Sequence, residues 1–167
     1  MTRRLFFALW PDPELRQAIA ACRKRLGPIS RRQVPDHNLH LTLLFVGNVD
    51  PERLPDLIET ANGLRATAFE QRLDRFGHFP RAGLVWLGGP AGPQGQALAA
   101  GLAERVSGLG LGVDDRPWRP HVTLFRRVSR RPELPEIKPL RWSVDHYVLI
   151  ESIPGRPYQP LARWPLA

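Results

Sequence analysis

Apolar residues run unbroken over positions 5–10 and stop at Pro11-Asp12, a length and a stop that predict a short buried strand. Asp12 can cap a helix whose first position is Pro13, and Leu15, Ile19, Cys22 and Leu26 then follow at helical spacing up to Gly27. Residues 39–46 predict a second strand between the breakers Asn38 and Gly47, and Asp50-Pro51 opens a second helix carrying Leu54, Leu57, Ile58 and Leu64. Positions 69–79 and 83–87 predict extended segments joined by a turn at Pro80-Arg81-Ala82. The second half repeats this grammar. A Gly/Pro-rich turn at 88–93 leads to a helix over about residues 94–109, with Leu98, Leu102 and Val106 on one face. Strands are predicted over 118–128 and 140–152, followed by a Pro-rich tail, 154–165, docked through Leu161 and Trp164. Several strands are joined by short turns, which favours an α+β fold with antiparallel sheets over a doubly wound parallel sheet.

The 167 residues suit one compact domain, 1–167, or two small lobes sharing a core, and exclude a large multidomain machine. Cys22 is the single cysteine, so an intrachain disulfide and a Cys-rich zinc site are both excluded, and a reducing, cytoplasmic setting is expected. The apolar run near the start is too short for a signal peptide or a membrane span. The formal net charge is +8, and 22 of the 24 basic residues are Arg. An Arg-rich surface attracts polyanions such as RNA, DNA or nucleotides, because the guanidinium matches phosphate geometry and stacks on bases. A chain-wide preference for Arg would give the same excess.

One string occurs in both halves: H-L-T-L at His40 to Leu43 and H-V-T-L at His121 to Leu124, 81 residues apart. With five His and five Thr in the chain, chance predicts about 0.15 His-x-Thr triplets in all. On a strand, residues i and i+2 share a face, so His40 stands beside Thr42 and His121 beside Thr123, while Leu41, Leu43, Val122 and Leu124 take the core face. If a pseudo-two-fold relates the halves, two imidazoles and two hydroxyls meet across a cleft around a phosphate-sized ligand. Such a centre suits metal-free phosphodiester hydrolysis. A neutral imidazole deprotonates the nucleophile, an imidazolium protonates the leaving oxygen, and the hydroxyls stabilise the charged phosphoryl oxygens.

These paired motifs resemble those of the 2H phosphoesterase superfamily. The wider strings P-D-H-N-L-H-L-T-L-L-F-V-G (35–47), G-L-V-W-L-G (83–88) and R-P-H-V-T-L-F-R (119–126) resemble its LigT branch, the RNA 2′,3′-cyclic phosphodiesterases. The resemblance implies a bilobal α+β fold in which two antiparallel sheets line a cleft with helices outside, the lobes spanning about 1–84 and 85–167. It implies opening of an RNA 2′,3′-cyclic phosphate to a 2′-phosphate, with reversible 2′-5′ joining of RNA ends as a further expectation. His40 and His121 are then the acid and base, with His40 favoured as the proton donor and His121 as the proton acceptor in hydrolysis, an order that the sequence does not fix and that re-ligation would reverse; Thr42 and Thr123 are the phosphate clamp. Phe45 and Arg126, each five residues after a histidine, would contact the terminal nucleotide. Strict alternation places an odd offset on the opposite face, so a bulge, strand end or twist must turn both inward, or they are a core Phe and a solvated Arg.

No cofactor or metal is expected. His37 precedes His40 by three residues, which on a strand sends the two to opposite faces, and no third ligand is evident. His78 and His146 lack a Thr at i+2 and are assigned ordinary buried or surface positions. Arg126, Arg127, Arg130 and Arg131 form a basic cluster that could guide an RNA backbone or simply be a solvated loop. The five Trp are assigned to packing. No P-loop and no G-x-S-x-G elbow is present. Partners are thus RNA ends or nucleotides with a 2′,3′-cyclic phosphate, and a monomer is expected. Two alternatives stay open: a phosphodiesterase for another cyclic or 2′-5′ linked nucleotide, and a non-catalytic RNA-end binder.

Overall fold

The computed structural model describes residues 1–114 and 116–167. The first strand, β1 (Arg3–Leu9), is buried on both faces from Leu5 onward. Leu5, Phe7 and Leu9 join the main core, whereas Phe6 and Ala8 pack with Val148 and Ile150 on the other side. Helix α1 (Pro13–Lys24) starts as its sequence predicts, with Asp12 accepting the Leu15 amide at 2.8 Å and Pro13 at the first position. It turns Arg16, Ile19 and Arg23 toward the segment that follows. Arg23 donates to the Val34 carbonyl at 2.6 Å and pairs with Asp36. Arg16 donates to the carbonyls of Asp36 at 2.6 Å and Leu39 at 2.9 Å. Two arginines from one helix face therefore fix the approach to His40.

The sheets are antiparallel, and the fold is α+β with α2 (Leu54–Asn62) and α3 (Pro93–Ser107) as the other α-helices. Further strands are β2 (Arg32–Gln33), β3 (Leu41–Val49), β4 (Phe69–Leu73), β5 (Arg75–Phe79), β6 (Leu84–Gly88), β7 (His121–Arg126), β8 (Leu140–Val144), β9 (His146–Ser152) and β10 (Gln159–Pro165). The larger sheet has eight strands, in the order β10-β9-β1-β3-β7-β6-β5, with β2 also on β7; β4 and β8 form a separate two-stranded sheet. Leu57 and Ala61 of α2 and Leu98, Ala99, Leu102 and Val106 of α3 fill the main core.

Two extended segments predicted as single pieces each break at an aspartate. Residues 69–79 divide at Asp74 and 140–152 at Asp145, so each gives one strand to the small sheet and one to the large sheet. β5 and β9 then diverge to opposite sides of the large sheet. The tail is not merely docked but forms β10, antiparallel to β9, with Trp164 buried and donating to Asn62 Oδ1 at 2.6 Å. Pro160 and Pro165 are tolerated because β10 is an edge strand with no neighbour awaiting their missing N–H. The β5–β6 turn uses Gly83 at φ +68°. Gly77 is required on other grounds: the Trp86 ring lies across it, 2.0 Å from where a Cβ would stand.

Candidate active site

The two motif strands meet at a single pairing, Leu41 with Val122, both fully buried. Carried one residue each way, that antiparallel register sets His40 level with Thr123 and Thr42 level with His121, all four on the face opposite the core. The four predicted side chains therefore lie on one face around this crossing, and His40 lies beside the threonine of its own motif. Thr42 is anchored through its carbonyl, which accepts the Trp118 indole N–H at 3.1 Å. The Thr123 hydroxyl is half-buried and has no hydrogen-bond partner among the described residues.

Both imidazoles are oriented in the same way. His40 Nδ1 donates to the carbonyl of Asn38 and His121 Nδ1 to that of Arg119, each at 2.7 Å. A carbonyl only accepts, so the neutral rings carry their proton on Nδ1 and leave Nε2 as an acceptor. Thr42 Oγ1 lies 3.0 Å from His40 Nε2 and donates to it. Burial is the main cause that lowers both histidines from 6.5. His40 falls to about 4, its carbonyl bond opposing the shift while Arg126, His121 and Arg16 add to it. Both imidazoles are therefore neutral at neutral pH.

The odd offset of Phe45 and Arg126 is resolved by a bulge at the same place in each motif. Along β1, Phe7 pairs with Leu44 and Ala8 with Thr42, which leaves Leu43 unpaired. Along β6, Val85 pairs with Phe125 and Trp86 with Thr123, which leaves Leu124 unpaired. Two consecutive residues are thereby buried in each strand, Leu43-Leu44 and Leu124-Phe125, and the next side chain returns to the histidine face. Phe45 is 42% exposed, with the Arg4 guanidinium 4.9 Å above its ring. Phe45 and Arg126 line one cavity of about 930 Å³ together with His40, Thr42, Phe6 and Tyr158. His121 opens instead to a second cavity of about 230 Å³.

Aromatic rings that the sequence reading assigned to packing, or did not single out, surround both histidines. His40 lies 4.9 Å from Phe6, 5.3 Å from Tyr158 and 6.4 Å from Trp10. His121 lies 5.3 Å from Phe79 and 6.0 Å from Trp86. Among the described residues, Trp142 and Trp164 are the buried core tryptophans. The repeated His-x-Thr string could flag the strands β3 and β7, but these neighbours come from β1, β5, β6 and the segment before β10. His37 is exposed in the turn Asp36–Asn38, away from any shared ligand set. Among the described residues, no group of three or more His, Cys, Asp or Glu is placed to hold a metal ion. His146 pairs with Asp145 at 2.7 Å, and the buried Nε2 of His78 has no partner. Among the described residues, no helix is long and apolar enough to cross a membrane.

A sequence profile of the 2′-5′ RNA ligase superfamily matches residues 11–156. The chain belongs to that superfamily. A fellow member, the RNA 2′,3′-cyclic phosphodiesterase of Escherichia coli, is 36% identical over 171 residues, covering 98% of this chain and 97% of its own. Another, the enzyme of the same name from Thermus thermophilus, is 35% identical over 168 residues, covering 89% of this chain and 81% of its own. The superfamily fold is likewise matched by the crystal structure of E. coli LigT with 3′-AMP, at a TM-score of 0.90 and 33% identity over 99% of both chains.

Proposed function

We propose that this protein is an RNA 2′,3′-cyclic phosphodiesterase that opens a terminal cyclic phosphate to a 2′-phosphate by histidine acid–base chemistry, with reversible 2′-5′ joining of RNA ends as a second activity. The observation that carries the reading is the convergence of His40, Thr42, His121 and Thr123 on one face at the Leu41–Val122 crossing. The relatives' names point the same way. One chain supplies both histidines and both threonines, so the working unit is a monomer. Residues 1–167 act as one domain whose lobes, about 1–84 and 85–167, each give one His and one Thr. Cys22 is free, and the setting we propose is the cytoplasm.

The cavities support an order of roles. The oxygen that leaves in hydrolysis is O3′ of the terminal ribose, so its nucleoside lies on the side of the general acid. The larger cavity, with an exposed Phe45 for stacking and Arg126 for the base or phosphate, opens at His40. His40 is then the proton donor and His121 the base that takes a proton from water on the opposite side of phosphorus. His40 reaches its charged form as the anionic phosphate binds beside it, since a negative charge favours imidazolium. The Thr42 hydroxyl turns from His40 Nε2 to a non-bridging oxygen and Thr123 takes another.

The test is a short RNA ending in a 2′,3′-cyclic phosphate, incubated with the purified protein and excess EDTA, with the product isomer identified by chromatography. A 2′-phosphate is expected. His40→Ala and His121→Ala should each slow turnover about 100-fold or more, with unchanged circular dichroism. An untouched RNA, a 3′-phosphate, or full activity in either folded variant would refute the reading.

A further inference from the structure

The cavity at His40 is larger than a terminal nucleotide requires. It measures about 930 Å³, whereas pockets that hold a single drug-sized ligand begin at about 300 Å³. Beyond Phe45 it continues along the ends of β1, β3 and β9, where Arg4, Asn48 and Ser152 line it. These three are in register: Arg4 pairs with Asn48 of β3 on one side and with Ser152 of β9 on the other. Directly paired residues share a face of the sheet, and Phe6, two residues after Arg4 on the same face, also lines the cavity. Neighbouring strands lie about 4.8 Å apart, so the row is about 10 Å long.

Among the described residues, none of the three side chains makes a hydrogen bond or an ion pair; the Arg4 guanidinium reaches back over the Phe45 ring, 4.9 Å from its centroid. The adjacent arginine is committed. Arg3 donates twice to Glu151, at 2.7 and 2.8 Å, which ties β1 to β9 and leaves the neighbouring row uncommitted. That row offers guanidinium donors, an amide that both donates and accepts, and a hydroxyl that does either. Such groups read the edge of a nucleobase: Arg makes paired hydrogen bonds to guanine and Asn to adenine. Unstacked bases of single-stranded RNA present these edges.

On the reading above, the terminal base stacks on Phe45 and its phosphate lies at His40. Asn48 stands three residues further along β3, about 10 Å from Phe45 and on the side away from His40. The next nucleotide of the chain reaches that far. We propose that the Arg4–Asn48–Ser152 row is a second base subsite, which holds by its edge the base of the nucleotide preceding the cyclic-phosphate end. The ligand that fills the cavity is then an RNA chain end of two or more nucleotides. A nucleoside cyclic phosphate fills only the part beside Phe45 and leaves the row to water.

The proposal rests on the phosphodiesterase reading, and the choice of substrates separates the two. Purified full-length protein is given two dinucleotides that end in the same uridine 2′,3′-cyclic phosphate, one with adenosine before it and one with an abasic ribose in that place. Both carry the same linking phosphate, so they differ only in the base that the row would hold. The kcat/KM for the adenosine dinucleotide should exceed that for the abasic one about tenfold or more. Asn48→Ala and, as a second variant, Ser152→Ala should each shrink that ratio about threefold or more, whereas damage to the fold lowers both substrates alike. Equal kcat/KM for the two dinucleotides, or a ratio unchanged in both folded variants, would overturn the subsite and leave the phosphodiesterase reading standing. Turnover of neither dinucleotide by the wild-type protein would overturn both.

Discussion

His40 should make the fold acid-sensitive by an amount that can be isolated. Its ring is held at about 4 against 6.5 in water, principally because burial penalises the charged form. In the unfolded chain the ring binds its proton near pH 6.5, so between about 6.5 and 4 the unfolded state holds more protons than the folded one. Stability therefore falls as pH drops through that window, and recovers above it. The shift corresponds to about 2 kcal/mol lost at pH 5 and about 3 kcal/mol at pH 4. Asn at position 40 removes the titrating group while keeping a polar side chain. Urea denaturation of the wild-type protein and His40→Asn at pH 7.5, 5 and 4 measures the effect. The wild-type protein should lose about 2 to 3 kcal/mol more than the variant on acidification. Subtraction removes the shared contribution of His121, which burial also lowers. A difference constant to within about 0.5 kcal/mol across the three pH values would refute the reasoning, because it would mean that the ring is not desolvated in the folded state. Inorganic phosphate in the cleft should shrink the loss, since an anion restores the charged ring.

In the proposed mechanism the same two histidines should set the pH dependence of turnover: kcat/KM reports the free protein and should peak below pH 6.5, whereas kcat reports the phosphate-bound site and should peak at higher pH. Coincident optima would contradict this. Phe45→Ala should raise KM for the RNA end about fivefold or more while kcat stays within about twofold, because the ring stacks on the base without touching the reacting atoms; a loss confined to kcat would place Phe45 elsewhere.

The placement of the His/Thr quartet on one face was legible because its signal is local and doubled. A period of two puts His and Thr on one face, and a second copy 81 residues on makes coincidence a poor explanation. The direction of Phe45 and Arg126 was half legible. The doublets Leu43-Leu44 and Leu124-Phe125 break the alternation in the sequence itself, but only the pairing with β1 and β6 shows that the break is a bulge. The aromatic cage was not legible. Trp86 reaches His121 because Gly77 of a neighbouring strand lets its ring pass, and Tyr158 reaches His40 by way of a backbone N–H bonded to Asn38 Oδ1 at 3.0 Å. Neither depends on nearby sequence. Strand β10 was hidden by prolines that exclude a central strand but permit an edge. The corners at Asp74 and Asp145 were hidden because the chain stays extended on both sides of a one-residue change of sheet.

Strand β1 is inserted between β3 and β9, so residues such as Arg4 and Ser152 are partners across most of the chain. Pairings of this span are slow to close. The wall around His40 draws on Phe6, Trp10, Arg126 and Tyr158. During translation, a nascent chain that already displays both His-x-Thr strings still lacks that wall until residue 158 has been added and has folded back onto Asn38. A chain cut short of residue 158 thus lacks part of the wall around His40.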